Sequence, residues 1–123
     1  MMKLAKVSVW VGTVADRSTL DQLLEYSIED GEFKSCEFCQ SLGVDSYDPV
    51  NLGGRYFPKE FTNLRIMLRD SDIQDEVIAR HPEIPPSNCI VQFYDFDSVS
   101  PVHTVDLNGV HFKFLGAYDY EIG

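Results

Sequence analysis

No stretch of this chain is long and apolar enough to cross a membrane as a helix. The most apolar run covers residues 89–96, whereas a membrane-spanning helix needs about 20 predominantly apolar residues. Lys3 and Lys6 stand near the N-terminus, but the apolar run behind them, residues 7–11, is too short for the hydrophobic region of a signal peptide. We therefore expect no signal peptide, no membrane partner and a cytoplasmic location.

Positive charge is also scarce in this sequence. Ten Lys and Arg stand against twenty Asp and Glu, which gives a formal net charge of −10 on 123 residues. A surface of this sign attracts basic partners and repels nucleic acids and anionic membranes. The chain is not a disordered acidic tail, because 44% of its residues are hydrophobic and eight Phe, six Tyr and one Trp are present. We expect a single folded domain over residues 1–123 with an acidic surface and no nucleic-acid partner.

Residues with the chemistry of catalysis or metal binding are few. Three cysteines, an odd number, fit a reducing compartment. Cys36-Glu37-Phe38-Cys39 is a CxxC motif, a spacing at which two thiolates bind zinc or cycle as a dithiol. A zinc site needs about four ligands, however, and the chain has no second CxxC, no HxxxH, no phosphate-binding glycine loop and no GxSxG motif. We expect no catalytic residue, cofactor or metal, and chemically idle cysteines.

Periodicity predicts a strand and a helix in the first part of the chain. Apolar and polar residues alternate over residues 6–14, which indicates a strand covered on both faces, because Trp10 would otherwise be exposed. Ser18 followed by Asp21 resembles a capping box and predicts a helix from Ser18 to Gly31. The core-facing stripe of this helix is Leu20, Leu23, Leu24 and Ile28.

Residues 34–58 have weaker patterns. Phe38 and Leu42 are four residues apart, which predicts one or two helical turns within residues 34–43. We expect an irregular loop over residues 44–58, because this stretch contains two strong turn signals, Asp48-Pro49 and Gly53-Gly54.

Residues 63–70 fit either a helix or a strand. We favour the strand, because Ser71 and Gln74 form a capping box directly after it. That box predicts a helix that His81-Pro82 ends. The apolar side of this helix is Ile73, Val77 and Ile78.

The C-terminal part of the chain has the clearest pattern. Residues 89–96 are nearly all apolar and predict a central strand. Two more strands, residues 102–107 and 110–118, flank Asn108-Gly109, the preferred two-residue type I′ hairpin turn. The turn sets the register, so that one face is apolar and the other is polar. The apolar face has Val105, Leu107, Val110, Phe112 and Phe114, and the polar face has Thr104, Asp106, His111 and Lys113.

The order of the predicted elements is strand, helix, strand, helix, strand and hairpin. This order is typical of a sheet with helices on at least one face. We therefore predict an α+β fold: a mixed β-sheet with two or three helices packed on it, ending in a C-terminal β-hairpin.

Acidic residues gather at the end of the first predicted helix and in the predicted loop. Negative charge at a helix C-terminus interacts unfavourably with the helix dipole. A small loss of stability of this kind suggests that the acids were selected for binding a partner. The alternative, that they only form a solvated face, stays open. An aromatic residue between two of the acids is of the kind enriched at binding hot spots. The candidate interface residues are Glu25, Glu29, Asp30, Glu32, Asp45, Tyr47 and Asp48.

Four short blocks extend over nearly the whole chain: Val7-Ser8-Val9-Trp10-Val11-Gly12-Thr13, then Leu42-Gly43-Val44 with Tyr47-Asp48, then Asn88 leading into Val91-Gln92-Phe93-Tyr94-Asp95-Phe96, then Phe114-Leu115-Gly116-Ala117-Tyr118-Asp119-Tyr120. Together they resemble the immunity protein 22 family of bacterial polymorphic-toxin systems. The resemblance implies a cytoplasmic protein, made beside a secreted toxin, that binds the cognate toxin and blocks it without catalysis.

Many toxins of such systems are nucleases, and the cleft of a nuclease is basic because it holds nucleic acid. An acidic inhibitor can occupy that cleft and associate rapidly by electrostatic steering. We therefore expect a cognate protein toxin with a basic cleft as the partner. Two alternatives stay open: a small cytosolic thiol or metal-dependent enzyme that uses Cys36 and Cys39, and a generic regulatory binding domain.

Overall fold

A five-stranded antiparallel sheet forms the centre of this fold. The computed structural model describes residues 3–94 and 104–122. Its elements are, in chain order, β1 (Lys3–Gly12), α1 (Arg17–Leu24), β2 (Ser27–Glu29), β3 (Glu32–Lys34), α2 (Glu37–Ser41), β4 (Leu52–Phe61), α3 (Gln74–Arg80), β5 (Ser87–Tyr94), β6 (Val105–Leu107) and β7 (Val110–Ile122). The strand order is β4-β5-β1-β7-β6, and β2 pairs with β3 in a separate hairpin. None of the described helices has the length and apolarity needed to span a bilayer.

The predicted α+β class, with helices on a sheet and a C-terminal hairpin, is confirmed. One feature differs, because every pairing between described strands is antiparallel, where we expected a mixed sheet. The alternation of residues along a strand is the same whichever way its neighbour runs, so the pattern does not encode direction. The strand predicted at residues 89–96 is β5, an interior strand beside the central β1, and residues 95 and 96 lie outside the described part of the chain.

Both faces of the sheet are covered, which gives the fold two hydrophobic cores. The first core lies under α1 and α2, and its members include Trp10, Leu20, Leu23, Phe38, Val91 and Phe112. The second core lies under α3 and the turns before it, and its members include Val7, Val9, Leu64, Met67, Val77 and Tyr118. Trp10 is fully buried and contacts Phe38 edge-on, with ring centroids 5.0 Å apart. The prediction that β1 is covered on both faces is therefore confirmed.

The C-terminal hairpin has the predicted register. Asn108 and Gly109 both have positive φ angles, 50° and 82°, as a type I′ turn requires. Val105 pairs with Phe112 and both are buried, while Asp106 pairs with His111 and both are exposed. The Nδ1 atom of His111 lies 2.6 Å from Oδ1 of Asp106. The predicted strand residues 102 and 103 lie outside the described residues.

A β-bulge in β7 lets this long strand contribute to both cores. The register with β1 shifts between Val9 and Trp10, which leaves Leu115 as the extra residue. The Leu115 carbonyl accepts a hydrogen bond from the Tyr118 hydroxyl at 2.6 Å and one from Nε2 of His81 at 2.7 Å. Those two bonds connect the bulge to the end of α3 and to the second core.

The first helix is shorter than predicted. Asp16, not Ser18, caps it, because the Asp16 carboxylate accepts a hydrogen bond from the Thr19 amide at 2.8 Å. The helix ends at Leu24, and the chain continues as the β2-β3 hairpin through Asp30-Gly31, both with positive φ. Ile28 therefore lies on this hairpin, 61% exposed, and is not part of the core stripe. Asp-Gly is itself a preferred hairpin turn. The turn at Asp30-Gly31 therefore ends the helical pattern before Ile28, although Ile28 has helical spacing from the leucines.

The predicted irregular loop over residues 44–58 is wrong in its second half. Residues 52–61 form β4, an edge strand paired with β5. Gly53-Gly54 is not a turn. A Cβ atom on Gly54 would lie 2.5 Å from Cδ1 of Leu24, so the glycine is there to let α1 approach the sheet closely.

The predicted strand over residues 63–70 is also wrong. This segment is a series of turns, with the Leu68 amide donating to the Leu64 carbonyl at 2.9 Å. Burial of both leucines against the second core stabilises the turns. The helix that follows is present but begins at Gln74, and Ile73 takes the N-cap position without a side-chain hydrogen bond, so Ser71 and Gln74 do not form the predicted capping box.

Asn88 holds the end of β1 to the start of β5. Its Oδ1 accepts a hydrogen bond from the Val14 amide at 2.9 Å, and its Nδ2 donates to the Val14 carbonyl at 2.8 Å. Both residues are buried. The Asn88 side chain thus replaces a pair of backbone hydrogen bonds where the ladder has ended.

We predict that Asn88→Ala lowers the free energy of unfolding by about 2 to 4 kcal/mol, because it leaves the buried amide and carbonyl of Val14 without partners. Urea unfolding measures the change. Asn63→Ala is the matched control: Asn63 is exposed and accepts one local hydrogen bond, from the Arg65 amide, so its loss costs less than about 1 kcal/mol. Equal losses in the two variants would contradict the structural role of Asn88.

Candidate protein-binding surface

The six acidic candidate residues are all exposed, and three of them lie on the β2-β3 hairpin rather than on a helix. Glu25 is the C-cap of α1, and Glu29, Asp30 and Glu32 are in the hairpin. Asp45 and Asp48 precede β4. The helix-dipole argument therefore applies only to Glu25. We call these six acids, together with Tyr47, the acidic surface.

A row of aromatic rings brings the hairpin and the loop of this surface together. Tyr26 stacks on Phe33 at 5.4 Å, Phe33 meets Tyr47 edge-on at 5.2 Å, and Tyr47 meets Phe93 edge-on at 5.5 Å. Phe93 belongs to the first core. The two groups of acids predicted from distant parts of the sequence therefore share one side of the molecule.

Exposed apolar side chains accompany these acids. Among the described residues, Tyr26, Ile28 and Val50 are 43%, 61% and 84% exposed. An apolar patch with a charged rim is typical of a protein-binding surface. The sequence interpretation missed all three residues, because it placed Ile28 in the core; the Asp30-Gly31 dipeptide was the signal for a hairpin that would expose Ile28.

Charge on this surface is only weakly neutralised. Residues 25–48 contain seven acidic side chains and one basic side chain, Lys34. Its ammonium lies 3.7 Å from Glu32, with both side chains about half or more exposed, and such a pair is worth little in water. A segment of 24 residues therefore has a net charge of −6 out of the −10 of the whole chain.

Tyr47 is half-buried and supports the loop from within. Its hydroxyl accepts a hydrogen bond from the Cys36 amide at 3.1 Å. Burial raises the pKa of Tyr47, and its hydrogen bond to the Cys36 side chain raises it further. Tyr47 thus orients the acidic loop relative to α2. Part of its ring also stays exposed.

The CxxC motif lies directly beneath Tyr47. Cys36 is the N-cap of α2, and its Sγ accepts a hydrogen bond from the Cys39 amide at 3.4 Å. The Cys39 thiol, then the Tyr47 hydroxyl and the backbone amides, lower the pKa of Cys36, while burial opposes them. The same contact with Cys36 raises the pKa of Cys39. Both thiols are almost completely buried.

The third cysteine has a different environment. Cys89 donates from Sγ to the Gly12 carbonyl at 3.3 Å. Burial raises its pKa to about 12, which keeps it a neutral thiol at physiological pH. Within residues 3–94 and 104–122, no three His, Cys, Asp or Glu side chains come together in a way that would hold a metal ion.

Comparison with known proteins identifies one family. The family model described as Immunity protein 22 matches residues 7–121 of the 123-residue chain. No curated protein and no solved structure matches the chain.

We predict that Cys36 makes stability rise with pH below 9.0, the ordinary pKa of a cysteine. Its folded pKa is lowered, so the folded state loses this proton before the unfolded state does, and the stabilisation disappears as the pH falls through the folded pKa. Urea unfolding at a series of pH values should show this slope in the parent chain and not in Cys36→Ser. Cys89→Ala is the control: it destabilises the core but keeps the slope. An unchanged slope in Cys36→Ser would refute the lowered pKa of Cys36.

Proposed function

The chain belongs to the Immunity protein 22 family, and we propose that it neutralises a cognate secreted toxin in the cytoplasm by binding it through the acidic surface. The observation that supports this most is the exposed Ile28, with its neighbour Tyr26, in the middle of a segment with seven acids. Family membership supports an immunity role. The location of the interface is our own inference from charge and exposure.

Apolar and acidic groups on this surface have different tasks. Apolar contact at the centre excludes water and contributes most of the affinity, whereas the acidic rim accelerates the encounter and orients the partner. A partner of complementary charge has a basic cleft, and a nuclease is the toxin class that fits best, because its cleft must attract phosphates. Occupation of that cleft excludes the substrate, so the inhibitor needs no catalytic group.

The hairpin is well suited to binding because it is held before the partner arrives. An isolated two-stranded hairpin is marginally stable in water. Here Phe33 lies on β3 and contacts Tyr47, whose ring packs on Phe93 of the sheet. The row of rings therefore reduces the conformational entropy that binding would otherwise cost.

A thiol enzyme is the second candidate, and one observation favours it, the lowered pKa of Cys36. Its side chain is only 1% exposed and that of Cys39 is fully buried, whereas a nucleophilic or redox-active thiol must meet its substrate. The double variant Cys36→Ser, Cys39→Ser distinguishes the two functions. An immunity protein keeps its protection against the toxin wherever this variant folds, and a thiol enzyme loses its activity.

We predict that reversing the charge of Glu29, Asp30 and Asp48 to Lys slows toxin association at least tenfold at low salt, because it removes the steering field. The partner for this measurement is the C-terminal domain of the secreted protein encoded beside this gene. Surface plasmon resonance gives the rates, and cell survival during toxin co-expression gives the protection. Added salt should slow the parent chain toward the rate of the variant, since charges are screened over about 10 Å at 0.1 M.

The matched control reverses Glu60, Asp75 and Glu83 to Lys; these residues are exposed and lie outside the acidic surface. Each reversal adds two charges, so both triple variants have a net charge of −4 instead of −10. The control should keep most of the association rate. If association slows equally in both variants, the acidic surface acts only through the overall charge of the protein. If the first variant protects cells fully, the interface lies elsewhere.

We also predict that Ile28→Ser weakens toxin binding at least tenfold, mainly through faster dissociation, because the central apolar contact is lost. Stability should change little, since the side chain is 61% exposed. Ile66→Ser is the matched control: Ile66 is 41% exposed but lies in the turns beside the second core. If both variants dissociate at the parental rate, Ile28 is not part of the interface.

A further inference from the structure

A second concave site lies on the other face of the sheet from the acidic surface. It is a cleft of about 260 Å³ between the sheet and the turns that precede α3. Met67, Leu68 and Ile73 of the second core form its apolar wall. The acidic surface, by contrast, is joined through Phe93 to the first core. The cleft is therefore a separate site, with its own chemistry.

Gln92 is the most informative residue of the cleft. It lies on β5 and pairs with Val9 of β1 on one side and Gly53 of β4 on the other, so an amide stands on an otherwise apolar face. Its Nε2 atom is buried and has no hydrogen-bond partner in the described part of the chain. A buried donor without a partner is unfavourable, and in a cleft a ligand with a hydrogen-bond acceptor would satisfy it.

Two arginines add positive charge to the same cleft. Arg55 on β4 and Arg69 in the turns both line it, and neither forms an ion pair with another described residue. Guanidinium groups bind carboxylates through charge-assisted hydrogen bonds. In a chain with only ten basic residues, two guanidinium groups beside the Gln92 amide form a donor set for a carboxylate.

Two acids also line the cleft, and they exclude a ligand that is purely anionic. Asp70 has a positive φ of 65°, and Asp72 follows two residues later. Burial raises the pKa of Tyr94; the nearby Asp72 also raises it and Arg55 lowers it, so charges of both signs lie close to this ring. A ligand that satisfies the whole lining has a cationic group next to its carboxylate.

We propose that this cleft binds a free α-amino acid. Arg55, Arg69 and the Gln92 amide bind its carboxylate, and Asp70 and Asp72 bind its ammonium group. The side chain of the ligand packs on Tyr94 and Tyr120, whose rings meet edge-on at 5.1 Å. The site is independent of the toxin interface, so either assignment can fail without the other.

The test uses the purified full-length chain and the twenty common amino acids, each at millimolar concentration, with calorimetry for affinity and amide NMR spectra for location. We expect saturable binding of at least one amino acid, with shifts at the Gln92 side-chain amide. Acetate and methylamine should each bind at least tenfold more weakly than that amino acid. Equal binding of acetate would overturn the zwitterion assignment, and the absence of binding by all twenty would overturn the site.

Two variants connect the binding to the cleft. Arg69→Met, at an exposed position, and Gln92→Leu, which removes the amide at similar size, should each weaken amino-acid binding at least tenfold. Arg65→Met is the matched control, because Arg65 is an exposed arginine of the same segment that does not line the cleft. If Gln92→Leu and Arg69→Met bind as the parent does, Gln92 is merely an unpaired amide and the proposal is wrong.

Discussion

Over residues 7–12, the central strand β1 has no side that faces solvent. Val7, Val9 and Val11 are buried in one core and Trp10 in the other, while β5 and β7 occupy both edges. Burial of a strand on both faces and both edges requires that helices and turns cover the sheet on each side. The position of α1 and α2 on one face, and of α3 with its preceding turns on the other, follows from that requirement. The bulge at Leu115 then lets β7 supply residues to both cores.

Order in the first core extends outward to the acidic surface. Phe93 is buried in that core, and the rings of Tyr47, Phe33 and Tyr26 follow it toward solvent in consecutive contacts. Aromatic pairs of this geometry add about 0.5 to 1.5 kcal/mol each beyond the area they bury. A small hairpin that could not be stable alone is thereby held with Ile28 and its acids exposed. Binding surfaces are commonly such exposed segments on a rigid scaffold.

The sheet separates two sites of different chemistry. On the first side, residues 25–48 concentrate six of the ten net negative charges. On the second side, two arginines, two aspartates and the Gln92 amide, whose Nε2 atom is buried, line a cleft with a neutral balance of charge. A macromolecular partner fits the first, because it is exposed and charged, and a small molecule fits the second, because it is concave and partly apolar.

The sequence alone determined those features of this protein that depend on neighbouring residues or on composition. The alternation in β1, the Asn108-Gly109 turn with its register, the acidity and the α+β class each depend on neighbouring residues or on composition, and all of them are present in the structure. Four blocks of residues also indicated the family that the comparison confirms. The seven candidate residues are six exposed acids and the half-buried Tyr47, and their role in binding is a proposal.

Tertiary structure decided the rest, because the deciding partners are remote in the chain. Gly54 indicates a turn when only its sequence neighbours are considered. In the structure it lies on an edge strand, where Leu24 packs against it. Ile28 continues a helical stripe in the sequence, yet Asp30-Gly31 turns the chain and leaves it exposed. Gln92 reads as an ordinary strand residue until Arg55 and Arg69 are placed around the same cleft. A periodic pattern reports which face of an element is apolar, and only the folded chain determines which distant residues meet at that face.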